Sequence, residues 1–220
     1  MGTTGTLTRA ALAAAAVAVA AAGCGADAST STTAGTTSEA AASSYRGVTR
    51  PDPFQVGDVT LPDVTPGQEG TFAFKAPEGE LLFVFFGYTN CPDVCPTTMS
   101  YYKAALDELG PEAADKLQAA MVAIDPERDT PEVMERFLSF YADSRHALRT
   151  LDPAELDAAE EAFGTTSSVT TNADGKVEVV HSGTAYLVDD QGTVLVELPF
   201  GVSVDDLVHD ISVALEQIDG

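Results

Sequence analysis

The feature that most constrains the fold is an uninterrupted apolar run, residues 81–86 (LLFVFF), that leads directly towards two closely spaced cysteines. The run is too short to span a membrane and is typical of a strand covered on both faces. Cys91 and Cys95 follow it, and Pro96 suits the first position of a helix because its missing N–H needs no partner there. Apolar residues then recur at helical spacing, at Met99, Tyr102, Leu106 and Leu109.

The strand, loop and helix place the two cysteines in a chemically active setting. Cys95 is expected at or near the helix N-terminus, where the helix dipole and free N–H groups favour a thiolate. The thiolate is the form that attacks disulfides and binds metals. The three-residue gap lets the sulfurs of Cys91 and Cys95 share a metal ion or form a disulfide. A purely structural disulfide is the alternative.

The N-terminal segment has the features of a secretory signal. Residues 1–22 contain one basic residue, Arg9, and no acid, and the apolar Ala/Val run ends in the sequence AAGC at Cys24. A run of this length is typical of a signal peptide. Its end resembles the lipobox of bacterial lipoproteins, so residues 1–23 are predicted to be removed and Cys24 lipidated. Ordinary signal cleavage is the alternative.

Composition divides the rest of the chain into a tether and one domain. Residues 24–52 are rich in Ser, Thr, Ala and Gly, and such a segment buries too little apolar surface to offset the entropy of ordering. We predict a flexible tether there and a single domain at 53–220. The formal net charge of −23 argues against binding to nucleic acid or to anionic lipid headgroups.

The order of predicted elements in the domain is that of a thioredoxin-like α/β fold. It consists of a βαβ core, a helix, a hairpin and a final helix, with an N-terminal hairpin at 56–74 and an inserted helix near 153–163. A central mixed sheet flanked by helices is therefore expected. The predicted strands are 56–64, 70–74, 81–88, 117–124, 177–180, 184–188 and 193–198, and the principal helices begin near 96, 130, 153 and 203.

Three motifs together resemble those of the Sco/SenC family. They are residues 86–96 (FGYTNCPDVCP), residues 124–131 (IDPERDTP) and a lone His181 before the last hairpin. Members of that family are membrane-anchored, thioredoxin-like copper chaperones for cytochrome c oxidase assembly. The resemblance covers about residues 53–217 and implies that Cys91, Cys95 and His181 bind copper. One departure is Asn90, where many members have histidine.

The residue types are consistent with that implication. Two thiolates select Cu(I), and an imidazole nitrogen helps to hold Cu(II), whereas structural zinc usually takes a fourth protein ligand. On composition alone, His181 fits a buried, hydrogen-bonded residue better, and the resemblance favours the ligand. His146 is predicted to lie in a loop and His209 on the polar side of the last helix. Neither is expected to be a ligand.

Asp125 follows the second buried strand, and its role has two interpretations. If that strand is parallel to the one at 81–88, the loop after it and the cysteine loop leave the sheet at the same edge, where open α/β sheets place their sites. Asp125 would then orient the site or contact a partner. The alternative is ordinary loop chemistry before a helix that starts at Thr130-Pro131.

Three functions are compatible with the cysteine pair. The resemblance implies that the protein delivers copper to the dinuclear copper site of a cytochrome c oxidase subunit and receives it from an extracytoplasmic donor. It would be held by its lipid anchor on the outer face of the bacterial membrane. The alternative is a thiol–disulfide reductase that keeps the oxidase's copper-ligand cysteines reduced, with Cys91 and Cys95 as the redox pair. A peroxiredoxin-type peroxidase is set aside, because Pro92 stands where that class needs Thr or Ser.

Overall fold

The protein is described here by a computed structural model, in which residues 1–2 and 44–219 are placed. The predicted signal peptide from residue 3 onwards, Cys24 and the tether up to residue 43 lie outside the described residues. In chain order the elements are β1 (Thr60–Asp63), β2 (Gly70–Ala73), β3 (Leu81–Gly87), α1 (Val94–Leu109), α2 (Pro111–Ala114), β4 (Leu117–Ala123), α3 (Pro131–Leu138), β5 (Arg145–Leu148), α4 (Pro153–Phe163), β6 (Ser167–Thr171), β7 (Val177–His181), β8 (Ala185–Val188), β9 (Val194–Leu198) and α5 (Val204–Asp219).

The apolar run forms β3, the strand that organises a seven-stranded mixed sheet with the order β2-β1-β5-β4-β3-β8-β9. β3 pairs parallel with β4 and antiparallel with β8. All of its residues are buried, because α1, α3 and α5 pack on one face of the sheet and α4 packs on the other. The thioredoxin-like α/β fold is therefore confirmed, including the N-terminal hairpin β1–β2 and the inserted helix α4.

The parallel pairing of β3 and β4 brings two loops to one edge of the sheet. The cysteine loop follows Gly87, and the loop that begins at Ile124 follows β4; the backbone N–H of Ile124 donates to the carbonyl of Gly87 at 3.0 Å. Both loops leave from the carboxyl ends of their strands, as parallel strands require. The expected juxtaposition of the cysteine loop and the Asp125 loop is thus confirmed.

The segment that carries His181 is not part of the main sheet. β6 and β7 form a separate two-stranded antiparallel sheet, in which His181 pairs with Ser167. β6 was not predicted from the sequence, because its residues (SSVTT) include a single large apolar side chain. The last hairpin, β8–β9, closes the main sheet as predicted.

Residues 44–50, which the sequence analysis placed in the tether, pack on the domain. The backbone N–H of Arg46 donates to Asp210 at 2.7 Å, and Val48 forms a bridge with Glu197 of β9. Asp210 is fully buried, and a buried carboxylate needs donors to offset its lost hydration.

In the part of the chain that the structure describes, no helix has the length and apolar character needed to cross a membrane.

His146 lies on β5 and not in the predicted loop. Its Nδ1 is 2.7 Å from Asp63, and its Nε2 is 2.9 Å from the amide oxygen of Gln118, whose amide nitrogen donates to Glu80. Local sequence could not indicate this, because Asp63 and Gln118 come from strands far away in the chain. Burial raises the pKa of Asp63, but hydrogen bonds from His146 and Thr65 outweigh that effect and leave the pKa below its ordinary value.

We expect Asp63→Asn to lower the free energy of unfolding at pH 7 by about 1–3 kcal/mol, the usual cost of disturbing a buried polar group. A carboxyl group with a lowered pKa in the folded state stabilises the fold above its unfolded pKa of about 3.9, and loses that effect as the pH falls through the folded value. The difference in the free energy of unfolding between the variant and the wild type should therefore become smaller below about pH 4. Urea unfolding at several pH values measures it, and exposed Asp58→Asn is the control. A constant difference down to pH 2–3 would contradict the assignment.

Candidate metal centre

The cysteine loop is held tightly between β3 and α1. α1 begins at Val94, so Cys95 lies in its first turn as predicted, and its side chain is only 1% exposed. Gly87, the last residue of β3, allows this packing: a Cβ there would lie 3.0 Å from the Cys95 sulfur and 2.5 Å from the ring of Phe85. Cys91, in the loop before the helix, is partly buried.

The structure brings the three predicted site residues together. The ligand atoms of Cys91, Cys95 and His181 all lie within 4.8 Å of one another, and both cysteines are free thiols. His181 is the last residue of β7, and its Nδ1 donates to the carbonyl of Ser182 at 2.7 Å. This hydrogen bond leaves the lone pair on Nε2 available to a metal ion.

The two thiols differ in electrostatic environment, and the difference corrects one expectation. Burial raises the pKa of Cys95 strongly, so the helix N-terminus does not favour a thiolate at that position. Burial also raises the pKa of Cys91, but backbone N–H groups of Cys95 and Asp93 donate to its sulfur and bring the pKa below its ordinary value. The distance from the Cys95 nitrogen to that sulfur is 3.3 Å. The helix N-terminus therefore stabilises a thiolate at Cys91.

We expect iodoacetamide to alkylate Cys91 well before Cys95 in the reduced, metal-free protein. Because the pKa of Cys91 is lowered, part of its thiol is ionised at pH values below about 8.5, the ordinary pKa of a cysteine. Its side chain is also more accessible than that of Cys95. Peptide mass spectrometry after short labelling at several pH values measures the order, with protein unfolded in urea as the control. Equal labelling of the two residues in the folded protein would contradict this assignment.

An open pocket of about 410 Å³ gives access to the site. Cys91 and His181 line it, whereas Cys95, which is almost fully buried, lines a much smaller neighbouring cleft that His181 also borders. Two exposed apolar side chains, Val180 and Phe200, stand at the mouth of the pocket and are 69% and 48% exposed. A group that enters from solvent therefore meets Cys91 and His181 before it meets Cys95.

The Asp125 loop supports the cysteine loop through a different aspartate. Asp129 is fully buried and accepts hydrogen bonds from the backbone N–H and the hydroxyl of Thr89, at 3.1 and 2.5 Å. Asp125 is paired with Arg128. In this structure Asp125 is part of the loop's own structure, and Asp129 connects the two loops. The only signal in the sequence was that Asp129 belongs to the IDPERDTP motif.

Sequence reasoning also missed Tyr88, the first residue after β3. Its ring lies edge-on to the ring of His181, with centroids 5.9 Å apart and an interplanar angle of 88°, and its backbone carbonyl accepts the N–H of Cys91 at 3.2 Å. Burial and the neighbouring Cys91 raise the pKa of Tyr88 to about 12.

The other two histidines lie elsewhere: His146 contacts Asp63, and His209 donates to the carbonyl of Ser44.

The thioredoxin-like fold with this Cys-Cys-His group defines a class of metal- or disulfide-handling proteins, and comparisons identify the family. Residues 63–216 match the family model described as SCO1/SenC. A relative in Stutzerimonas stutzeri is 32% identical over 136 residues, which are 62% of this chain and 66% of the relative. Protein SenC of Rhodobacter capsulatus is 34% identical over 106 residues, 48% of this chain and 47% of SenC. The chain thus spans about two thirds or less of the length of these relatives.

A solved structure agrees with the sequence comparisons. Copper-bound ScoI of Bradyrhizobium japonicum matches this structure with a TM-score of 0.58 and 30% identity, over 73% of this chain and 96% of ScoI. The chain therefore belongs to the SCO1/SenC family, which includes copper-binding proteins and is linked to cytochrome c oxidase assembly.

Proposed function

We propose that this protein binds one copper ion between Cys91, Cys95 and His181 and delivers it to the dinuclear copper site of cytochrome c oxidase. The observation that carries the proposal is the approach of three ligand atoms to within 4.8 Å of one another. They belong to a chain whose family includes a protein solved with copper bound.

The donor set suits copper in its two common oxidation states. Soft thiolates select Cu(I), and the nitrogen of an imidazole helps to hold Cu(II). Structural zinc sites have four protein ligands, and among the residues that the structure describes no fourth His, Cys, Asp or Glu joins this group. The chemistry of the site therefore favours copper over zinc as the cargo.

Access to the site supports transfer by ligand exchange. Cys91 and His181 line the open pocket, and Cys95 is almost fully buried beside it. A thiolate of the target would first replace Cys91 on Cu(I) and then replace Cys95. Each exchange breaks one copper–sulfur bond and forms another, so the oxidation state of the ion does not change.

The reductase alternative also has a specific observation in its favour, the accessible Cys91 with its lowered pKa. Its thiolate would attack a disulfide of the oxidase subunit, release one thiolate of the target and form a mixed disulfide. The sulfur of Cys95 would then attack Cys91, release the second thiolate and leave a Cys91–Cys95 disulfide. Two electrons pass from the pair to the target. This role has no use for His181.

A transfer experiment tests the delivery proposal against the reductase alternative. The copper-loaded protein is mixed with the soluble, copper-free fragment of the oxidase subunit that carries the dinuclear site, with its cysteines reduced. We expect copper to appear in the fragment, measured by mass spectrometry. The reductase role alone predicts no copper transfer, and instead predicts reduction of an oxidised fragment by metal-free protein.

We further propose that the domain acts on the extracytoplasmic face of a bacterial membrane, anchored by a lipid on Cys24 and supplied by an extracytoplasmic copper donor. The sequence AAGC at 21–24 supports this proposal. Cys24→Ala is expected to release the protein from membranes, because a lipid chain contributes about 0.8 kcal/mol of membrane affinity per buried CH₂ group. Fractionation of cells measures it, with Cys91→Ser as the control. An intact mass without acyl chains, from cleavage at another bond, would contradict the anchor.

A further inference from the structure

The hairpin that carries His181 is attached to the domain mainly through side chains. Its two strands, β6 and β7, pair with each other and with no strand of the main sheet in the part of the chain that the structure describes. Most of its side chains are exposed, although Val179 packs on the core beneath α4. Because no strand pairing fixes the hairpin to the sheet, the side chains that hold it determine where His181 lies.

Glu160 of α4 holds the hairpin directly opposite His181. Its two carboxylate oxygens accept hydrogen bonds from Ser167, one from the backbone N–H at 3.2 Å and the other from the hydroxyl. Ser167 is the residue that pairs with His181 across the hairpin. Glu160 is only 7% exposed, and a carboxylate removed from water needs such donors. The helix itself is firmly placed, since Ala159 and Phe163 are fully buried in the core.

A second set of contacts joins α4 to the same end of the hairpin. The backbone N–H of Thr165 donates to the carbonyl of Glu160 at 2.9 Å, and the hydroxyl of Thr165 is 2.5 Å from that of Ser182. Ser182 follows His181, and its carbonyl accepts the Nδ1–H of the imidazole at 2.7 Å. Both strands of the hairpin are therefore connected to α4 at the point where His181 meets the cysteines.

We propose that Glu160 is a positioning residue that, by holding Ser167, keeps His181 beside Cys91 and Cys95 and so determines how tightly the site binds Cu(II). The inference deepens the copper proposal above and rests on it. Cu(II) needs the imidazole nitrogen, whereas two thiolates can hold Cu(I) without it. Loss of Glu160 should therefore weaken Cu(II) binding much more than Cu(I) binding. Residues that orient metal ligands commonly contribute to affinity in this way.

Glu160→Ala removes both hydrogen bonds from its side chain to Ser167. In the full chain we expect the Cu(II) affinity to fall about 10–100-fold, the thiolate-to-Cu(II) charge-transfer absorption to weaken, and the Cu(I) affinity to stay close to that of the wild type. Competition titrations with Cu(II) and Cu(I) chelators measure the two affinities. Glu161→Ala is the matched control, since Glu161 is the next residue of α4 and is exposed.

Glu160→Gln should restore most of the Cu(II) affinity that Glu160→Ala loses. The amide oxygen can accept the backbone N–H of Ser167, and the amide nitrogen can donate to the hydroxyl oxygen. The contact with the hairpin is then kept without the charge.

Two further measurements separate positioning from a general loss of structure. Hydrogen exchange of the metal-free protein, measured by mass spectrometry, should become faster in β6 and β7 of Glu160→Ala and stay unchanged in β3 and β4. In a His181→Ala background, Glu160→Ala should lower the Cu(II) affinity no further, because the effects of residues that act through one another are not additive.

Ser167→Ala decides the question if Glu160→Ala does not fold. It removes only the hydroxyl contact, so it should lower the Cu(II) affinity by a smaller factor, and only when His181 is present. Wild-type Cu(II) affinity in Ser167→Ala would then overturn this inference. For a folded Glu160→Ala protein, either wild-type Cu(II) affinity or an equal loss with and without His181 would overturn it and leave the copper proposal standing. A wild-type chain that binds no copper would overturn both.

Discussion

Cys91→Ser and Cys95→Ser are each expected to abolish tight Cu(I) binding, with a loss of affinity beyond about 100-fold, which exceeds that seen when only a supporting residue is removed. Cu(I) prefers soft sulfur ligands, and the site offers two of them within 4.8 Å of the same imidazole. A hydroxyl is a hard, neutral donor and cannot replace a thiolate. The measurement is an anaerobic titration of each reduced variant in competition with a chromogenic Cu(I) chelator.

The third cysteine provides the control for this titration. In unprocessed protein, in which Cys24 carries no lipid, Cys24→Ser removes the one thiol that is not a proposed ligand, and the variant should bind Cu(I) as tightly as the wild type. Circular dichroism of each variant shows whether it keeps the fold of the wild type. Near-native Cu(I) affinity in either Cys91→Ser or Cys95→Ser would contradict a site shared by both sulfurs.

His181→Ala is expected to lose the thiolate-to-copper charge-transfer absorption of the Cu(II) form while it keeps much of its Cu(I) binding. Cu(II) is the harder ion and needs the nitrogen, whereas two thiolates can hold Cu(I) without it. The structure gives this nitrogen the correct tautomer, because Nδ1 of His181 is engaged by the carbonyl of Ser182. The measurement is the visible spectrum after addition of one equivalent of Cu(II). His209→Ala, on α5, is the control.

The same variant separates the two proposed functions in cells. His181→Ala should impair oxidase assembly if the protein delivers copper, whereas reduction of a model disulfide by the cysteine pair should change little, since exchange depends on thiolate character and access. A variant that keeps the Cu(II) spectrum and supports full oxidase assembly would show that His181 is not a ligand. The reductase function would then become the better explanation.

Local sequence was sufficient for the elements whose signals are local. The apolar run of β3 and the proline at position 96 predicted the strand, the loop and the helix, and the structure confirms all three, with the helix beginning two residues earlier than predicted, at Val94. The spacing of Cys91 and Cys95 likewise predicted two sulfurs near each other. His181 was different, because nothing in its neighbourhood showed that the β6–β7 hairpin would carry it to the cysteines. Only the family resemblance indicated its role.

The remaining differences come from contacts between residues far apart in the chain. His146 was expected in a loop, yet it lies on β5, where its ring forms hydrogen bonds with Asp63 and Gln118 of other strands. The helix N-terminus was expected to favour a thiolate at Cys95, but burial raises the pKa of that thiol. The free N–H groups act on Cys91 instead. Burial depends on the tertiary structure. The position of Cys95 in the helix alone therefore led to the wrong prediction of which sulfur the N–H groups would stabilise as a thiolate.

X-ray absorption spectroscopy of the copper-loaded protein tests the central claim most directly. The full chain is reduced, loaded with one equivalent of copper and measured in the Cu(I) and Cu(II) forms. The proposed site predicts two sulfur ligands in both forms, together with one imidazole nitrogen in the Cu(II) form that is absent from the spectrum of His181→Ala. A copper ion surrounded only by nitrogen and oxygen, or a Cu(II) spectrum that His181→Ala leaves unchanged, would contradict it.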